Sequence, residues 1–287
     1  MKRRLLCVLA AVSSAVSLTG MDWPSSDGRL IENFGMNNGG RPVIGDTFLA
    51  QGDVYSADPG EILFNNQEDD GGTFISPLGN WVACDHGDGY ISIYARLSEL
   101  STEALPERVD KGVTIGKAGK SGWSSGGGFH FSFFDRRERQ WINPIVILNS
   151  MPDTIAPSIQ SIKLKDSSGK LYDLSSQRLI RQGLYSVLVQ ASDRIDISNA
   201  ALAPFCITTS LNGVEAGRLE LETFSARDGG LLIYSNGLVP VTQIYGSAPA
   251  LEAAGNVSFS RGQARLDLGV LDFAGNARNA SFNLFIE

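Results

Sequence analysis

Histidine is almost missing from this chain: His86 and His130 are the only two in 287 residues. Any site built on imidazoles would have to use nearly all of them. Cysteine is scarce as well, with three, and Cys7 lies in the extreme N-terminal segment. That leaves Cys84 and Cys206, in what read as different domains, with no CxxC pair. A disulfide framework is excluded, and two buried free thiols are expected. Sustained helical periodicity is rare; residues 98–105 and 176–182 are the modest candidates. Beyond residue 20 no apolar run approaches the about 20 residues that a membrane-spanning helix needs. Basic residues are outnumbered, 24 Lys and Arg against 31 Asp and Glu.

What is present begins with a targeting segment. Lys2, Arg3 and Arg4 precede an apolar stretch, Leu5 to Val16, and small residues follow to Gly20. This pattern predicts a secretory signal over residues 1–20 and an exported protein of the periplasm or cell envelope. Its removal takes away three basic residues and no acidic one. The remainder carries 21 basic against 31 acidic residues, a balance of −10. Nucleic acid and anionic membrane surfaces are poor partners for such a chain.

Glycine is abundant, with 32 residues, and Asn-Gly, Asp-Gly and Gly-Gly pairs recur. Short strands joined by tight turns are the expectation, hence an all-β fold. Residues 21–150 form a first domain. Trp81 to Cys84 and Tyr90 to Leu97 read as a hairpin around the turn Asp85-His86-Gly87-Asp88-Gly89. Alternation puts Tyr90, Ser92, Tyr94 and Arg96 on one face and Ile91, Ile93, Ala95 and Leu97 on the other, and the aliphatic face is expected to be the core. Phe129 to Phe134 alternates too, with His130 and Ser132 sharing a face beside a Gly/Ser-rich loop. The acidic loop 65–72 lacks the ordered alternation of a calcium-binding loop and reads as solvated. Residues 151–157 (MPDTIAP) form a linker. Residues 158–287 show about seven short strands and turn signals at Asn212-Gly213, Asn236-Gly237 and Asp272 to Asn276, which suggests a β-sandwich. That half contains no histidine.

The first domain resembles the lysostaphin/LytM-type zinc peptidases that cut peptidoglycan cross-bridges. Six motifs carry the resemblance in order over residues 41–148. Gly52 to Ile62 resembles the family's G-x-x-V-x-A-x-x-x-G-x-V. Asp85 to Tyr90 is similar to its central hairpin, and Tyr94-Ala95-Arg96-Leu97 to its Y-x-H-L. Lys111 to Gly116 resembles K-G-x-x-I-G, Gly128 to Phe133 resembles G-x-H-x-H-F, and Asn143-Pro144 the closing N-P. The C-terminal half resembles bacterial immunoglobulin-like domains, chiefly through its D-x-A-G-N hairpin and strand number.

The resemblance implies an antiparallel β domain with zinc held by the His and Asp of H-x-x-x-D and the second His of H-x-H. Asp46 falls at the Asp position, but Pro42 and Ser132 stand at the two His positions. The catalytic His of Y-x-H-L is Arg96, which cannot act as a base near neutrality. Only His130 matches a catalytic position. A degenerate, non-catalytic domain is therefore expected, with no cofactor and with a vestigial Asp46 and His130. It would bind peptidoglycan or regulate a murein hydrolase. Tyr90, Tyr94, Arg96, Trp123, His130 and Ser132 would floor the groove, since aromatic faces suit sugars and arginine suits stem-peptide carboxylates. Asp46, without a metal, is expected to pair with Arg96 or Arg41. Two alternatives remain open: an active zinc endopeptidase with a rearranged site using Asp46, His86 and His130, and a structural or adhesion scaffold acting through the immunoglobulin-like half.

Overall fold

A computed structural model describes residues 20–67, 76–100, 106–124, 126–227, 229–246 and 255–287. The signal segment, all but Gly20, lies outside the described residues, as do residues 68–72 of the acidic loop and 101–105 of the first helical candidate. The chain is all-β, with one short helix, Pro144–Ile147, and one 3-10 turn among the described residues. Both helical candidates fail where they can be judged. Residues 98–100 end the long strand Tyr90–Leu100, and residues 176–182 pass through a turn into the short strand Leu179–Ile180. Edge pairing of Leu179–Ile180 with Ala277–Ile286 overrides the weak local periodicity. The one true helix follows from Asn143-Pro144: the Asn143 side chain accepts the Ile145 N–H as N-cap, and proline occupies the first helical position.

The first half is built around the strand Phe129–Asp135. On one side it pairs with Tyr90–Leu100, matching His130 with Ala95, Phe131 with Tyr94 and Ser132 with Ile93. On the other it pairs with Asp46–Leu49, matching His130 with Thr47, and further on with Gln140–Ile142. The hairpin at residues 85–90 forms as the sequence predicts, with Asp88 in the left-handed region at φ 53°. Asn80–Asp85 then joins Gly60–Asn66.

The register corrects the expected core face. Phe129, Phe131 and Phe133 are all fully buried, and side chains directly opposite across a pair share a face. Tyr94 and Ser92 therefore sit under Phe131 and Phe133 in the core, while Ile91 and Ile93 share the opposite face with Phe134 and Ser132. The Tyr94 ring lies 5.3 Å from Phe131, and its hydroxyl accepts the Ala57 N–H at 2.8 Å. Alternation then breaks at a bulge. Asn80 pairs with Leu97 and Val82 with Tyr94, so Ala95 and Arg96 both oppose the single residue Trp81. Arg96 takes the extra turn at φ 64°. Leu97 thereby returns to the same core as Tyr94.

The second half is a two-layer sandwich. One sheet runs Leu171–Asp173, Ser158–Asp166, Gly183–Ser192, Asn256–Phe259. The other includes Cys206–Leu211, Val214–Arg227, Gly262–Leu271 and Ala277–Ile286. Ile162, Leu164, Val187 and Val189 of the first layer pack with Ile207, Leu219, Leu266 and Leu268 of the second. Asn212 and Gly213 both have positive φ, at 53° and 82°, as a two-residue hairpin turn of this kind demands. Cys84 and Cys206 are buried in separate halves and are not bonded to each other.

The halves are joined by more than the linker. Gln140–Ile142 pairs antiparallel with Val214–Arg227, continuing one sheet into the next. The N-terminal segment crosses the junction. The Asn33 side chain exchanges two hydrogen bonds with the backbone of Ala203, the Tyr245 hydroxyl donates to the Gly35 carbonyl at 2.8 Å, and Phe34 is fully buried in the C-terminal core, stacked on Phe224.

Candidate functional site

Three neighbouring strands bring His130, Thr47 and Arg96 together. Because Thr47 lies directly across from His130, its hydroxyl reaches the imidazole Nδ1 at 3.0 Å. The imidazole Nε2 lies 2.7 Å from the Ile44 carbonyl oxygen. A carbonyl only accepts, so Nε2 carries the proton and, in the neutral ring, Nδ1 accepts from Thr47. Arg96 Nη1 approaches the same Thr47 oxygen at 3.5 Å and Glu32 at 4.0 Å. His130 is 9% exposed. Burial, then the Arg96 charge, push its pKa down to about 4. The ring is thus a neutral, fully bonded imidazole at neutral pH.

Asp46 is 1% exposed, and its Oδ1 accepts the Phe34 N–H at 3.0 Å. Burial raises its pKa to about 7, partly offset by that hydrogen bond. The expected ion pair with Arg96 does not form, because Arg96, turned by its bulge, points to Thr47 and Glu32. Arg41 is exposed in a two-residue strand opposite Asn38. A backbone amide, which costs no second buried charge, takes the role expected of a guanidinium.

The other expected floor residues disperse. Tyr94 is in the core, so it lines no groove. Tyr90 is half-buried and stacked on Phe133, on the face opposite His130 and Ser132. Ser132 is buried against Gly45, where an added Cβ would come within 2.7 Å of the Ser132 Cβ. Trp123 is 75% exposed in a loop held by its own N–H to the Pro77 carbonyl. His86 bonds to the Pro59 carbonyl and the Ser92 hydroxyl and stacks on Phe133, on the core-facing side of that strand. Asp46, His86 and His130 therefore do not converge. Thr47 went unnoticed in the sequence, although the position after Asp46 is the one that strand pairing sets against His130. The Phe34 and Ile44 contributions come from backbone groups and leave no side-chain signal.

These residues do not fit a zinc ion. Pro42 and Ser132 offer no imidazole, the Asp46 carboxylate faces the Phe34 amide, and both nitrogens of His130 are engaged. Among the described residues, no three His, Cys, Asp or Glu side chains converge here.

Replacing Arg96 by Ala is expected to change stability by less than about 1 kcal/mol, because its 4.0 Å pair with Glu32 is partly solvated. The His130 pKa should rise from about 4 as the repelling charge goes. Imidazole NMR titration and urea unfolding of the same variant check both statements; an unmoved titration would count against the proximity of Arg96.

Residues 46–144 match the family model of Peptidase family M23. A second family model matches residues 156–287. Over 138 residues the chain is 30% identical to the murein hydrolase activator NlpD of Salmonella typhimurium, which covers 47% of this chain and 33% of that protein. Over 78 residues it is 33% identical to the stage II sporulation protein Q of Bacillus subtilis, covering 27% of each. The chain thus spans a third or less of the curated relatives it matches. Among solved structures, the catalytic domain of the prophage-encoded M23 protein EnpA from Enterococcus faecalis is 21% identical, covers 39% of this chain and 83% of that chain, and superposes with a TM-score of 0.34.

Proposed function

We propose that this is an exported cell-envelope protein whose peptidase-like domain is non-catalytic and regulates a murein hydrolase or binds peptidoglycan. The observation that carries the reading is the way the site is closed from within. The Ile44 carbonyl holds His130, the Phe34 amide holds Asp46, and Pro42, Arg96 and Ser132 replace the histidines that the zinc peptidases use. A neutral histidine with both nitrogens bonded has no free lone pair for a substrate or a metal. The similarity to a murein hydrolase activator supports the regulatory role. No helix among the described residues is long and apolar enough to cross a membrane. The immunoglobulin-like reading of the C-terminal sandwich belongs to the same proposal, as a bracing or docking domain.

The test uses the chain from residue 21 onward, incubated with zinc and dialysed. Three quantities are read: bound zinc, fragments released from purified peptidoglycan by the protein alone, and fragments released by an added murein amidase with and without it. The expected result is no stoichiometric zinc, no release alone, and a changed rate for the amidase or co-sedimentation with peptidoglycan. Stoichiometric zinc together with release by the protein alone would overturn the proposal.

A further inference from the structure

The C-terminal half holds a group of acidic side chains that the reading above does not use. Asp153 comes from the linker, Asp193 lies just past the end of Gly183–Ser192, and Asp272 lies just past the end of Gly262–Leu271. One carboxylate oxygen from each lies within 4.8 Å of the others. Asp193 and Asp272 are buried, at 6% and 5% exposed. Asp272 is committed on both oxygens to Asn276, through its backbone N–H and its side-chain amide, each at 2.8 Å. Asn276 in turn donates to the Asp153 carbonyl at 3.1 Å, which ties the linker to the final hairpin. Asp153 Oδ1 accepts the Ile155 N–H.

Asp193 is different. Its Oδ1 is fully buried and has no hydrogen-bond partner among the described residues. A buried carboxylate oxygen left unpaired is costly. Its neighbours in the group, Asp272 and Asp153, are carboxylates too. Such an arrangement calls for a positive charge placed among the three carboxylates.

We propose that Asp153, Asp193 and Asp272 bind a calcium ion at the junction of linker and sandwich. The donors are all oxygen, with no imidazole or thiolate, which selects a hard cation over zinc. Three carboxylates suit calcium, which takes many protein oxygens in flexible geometry, whereas Mg²⁺ keeps several waters and is held through one or two carboxylates. The ligands come from three separated segments, so the ion would fasten the linker to the ends of two strands. Asp193 also lines the small space of ≈ 30 Å³ between the halves, together with Leu30, Asp46 and Asn143. Calcium would accordingly stiffen the angle between the two domains. This inference does not depend on the peptidase-like site being inactive.

The experiment titrates Ca²⁺, Mg²⁺ and Zn²⁺ separately into EDTA-treated protein by calorimetry, with thermal melts of the same samples. The variants are Asp193→Asn and, because the buried position could perturb folding, the half-exposed Asp153→Asn, each checked by circular dichroism. The expected result is one Ca²⁺ per chain, a Tm raised by about 5 °C at saturation, and affinity at least tenfold weaker in folded Asp153→Asn and Asp193→Asn. The absence of Ca²⁺ binding, unchanged binding in both variants, or Mg²⁺ binding as tight as Ca²⁺ would each overturn it.

Discussion

Asp46→Asn is expected to stabilise the protein by about 2–4 kcal/mol at pH 8, and to lessen a decline in stability between pH 5 and pH 8 that Asp46 shares with Asp193. The carboxyl is buried, with the Phe34 amide as its donor, and its pKa is raised to about 7 against an ordinary 3.8. Between those two values the folded state holds a proton that the unfolded chain has released. Stability is therefore highest below the unfolded pKa and is lost as the pH rises through 7. Asparagine keeps an oxygen for the Phe34 N–H and carries no charge at any pH, so the cost of a buried anion disappears. His130 acts in the opposite sense. Its pKa is depressed to about 4 from 6.5, so its contribution is present above 6.5 and lost as the pH falls toward 4. Asp193 follows Asp46 in direction, and measurements should be made in EDTA to keep its environment constant. Urea unfolding at pH 5.5 and 8.5 for both proteins gives the answer. A variant less stable than the parent at pH 8, or one with the same pH slope, would mean that Asp46 is ionised and partnered in the fold.

The same residue illustrates what a reading of the sequence reaches. Its spacing to Gly52, the Asp85 to Gly89 hairpin, the Asn-Gly turns and the alternating Phe129 to Phe134 run all declare themselves through local chemistry, and all are where that chemistry demands. That Pro42 and Ser132 are not histidines is read directly from the sequence. The face of Tyr94 is not, because the pairing with Phe131 and not the apolarity of its neighbours sets the core side, and Arg96 is displaced by a bulge that only the pairing with Asn80 and Val82 defines. The Val214–Arg227 strand is hidden by its charges, although Leu219 and Leu221 alternate inward between Arg218, Glu220 and Glu222. Asp153, Asp193 and Asp272 lie far apart in the chain and meet only when two strand ends and the linker converge. The groups that hold Asp46 and His130, the Phe34 amide and the Ile44 carbonyl, belong to the backbone, which every residue carries alike.

Phe34→Ala should cost about 3–5 kcal/mol, the range for removing a buried aromatic ring from a core that cannot collapse around the gap. The position is unusual because Phe34 lies between two paired strands of the first half, Arg29–Glu32 and Asp46–Leu49, but is fully buried in the core of the second. Its ring stacks on Phe224 with centroids 4.5 Å apart, and Phe224 is the residue that pairs with Trp141 where the two halves share a sheet. The ring is thus a side-chain tie across the junction, and its backbone amide is the donor to Asp46. Loss of the ring loosens both. Calorimetry should show the single transition of the parent replaced by two, with the C-terminal half melting first. The coupling can be measured by combining the change with Asp46→Asn. If the amide is held in place by the ring, the gain from Asp46→Asn becomes larger in the Phe34→Ala background, since an Asp46 deprived of its donor is a still costlier anion. Additive effects would show that the Phe34 backbone is fixed by Asn33 and Gly35 alone, through their bonds to Ala203 and Tyr245. A loss below about 1 kcal/mol would show that the N-terminal segment does not pack into the second core.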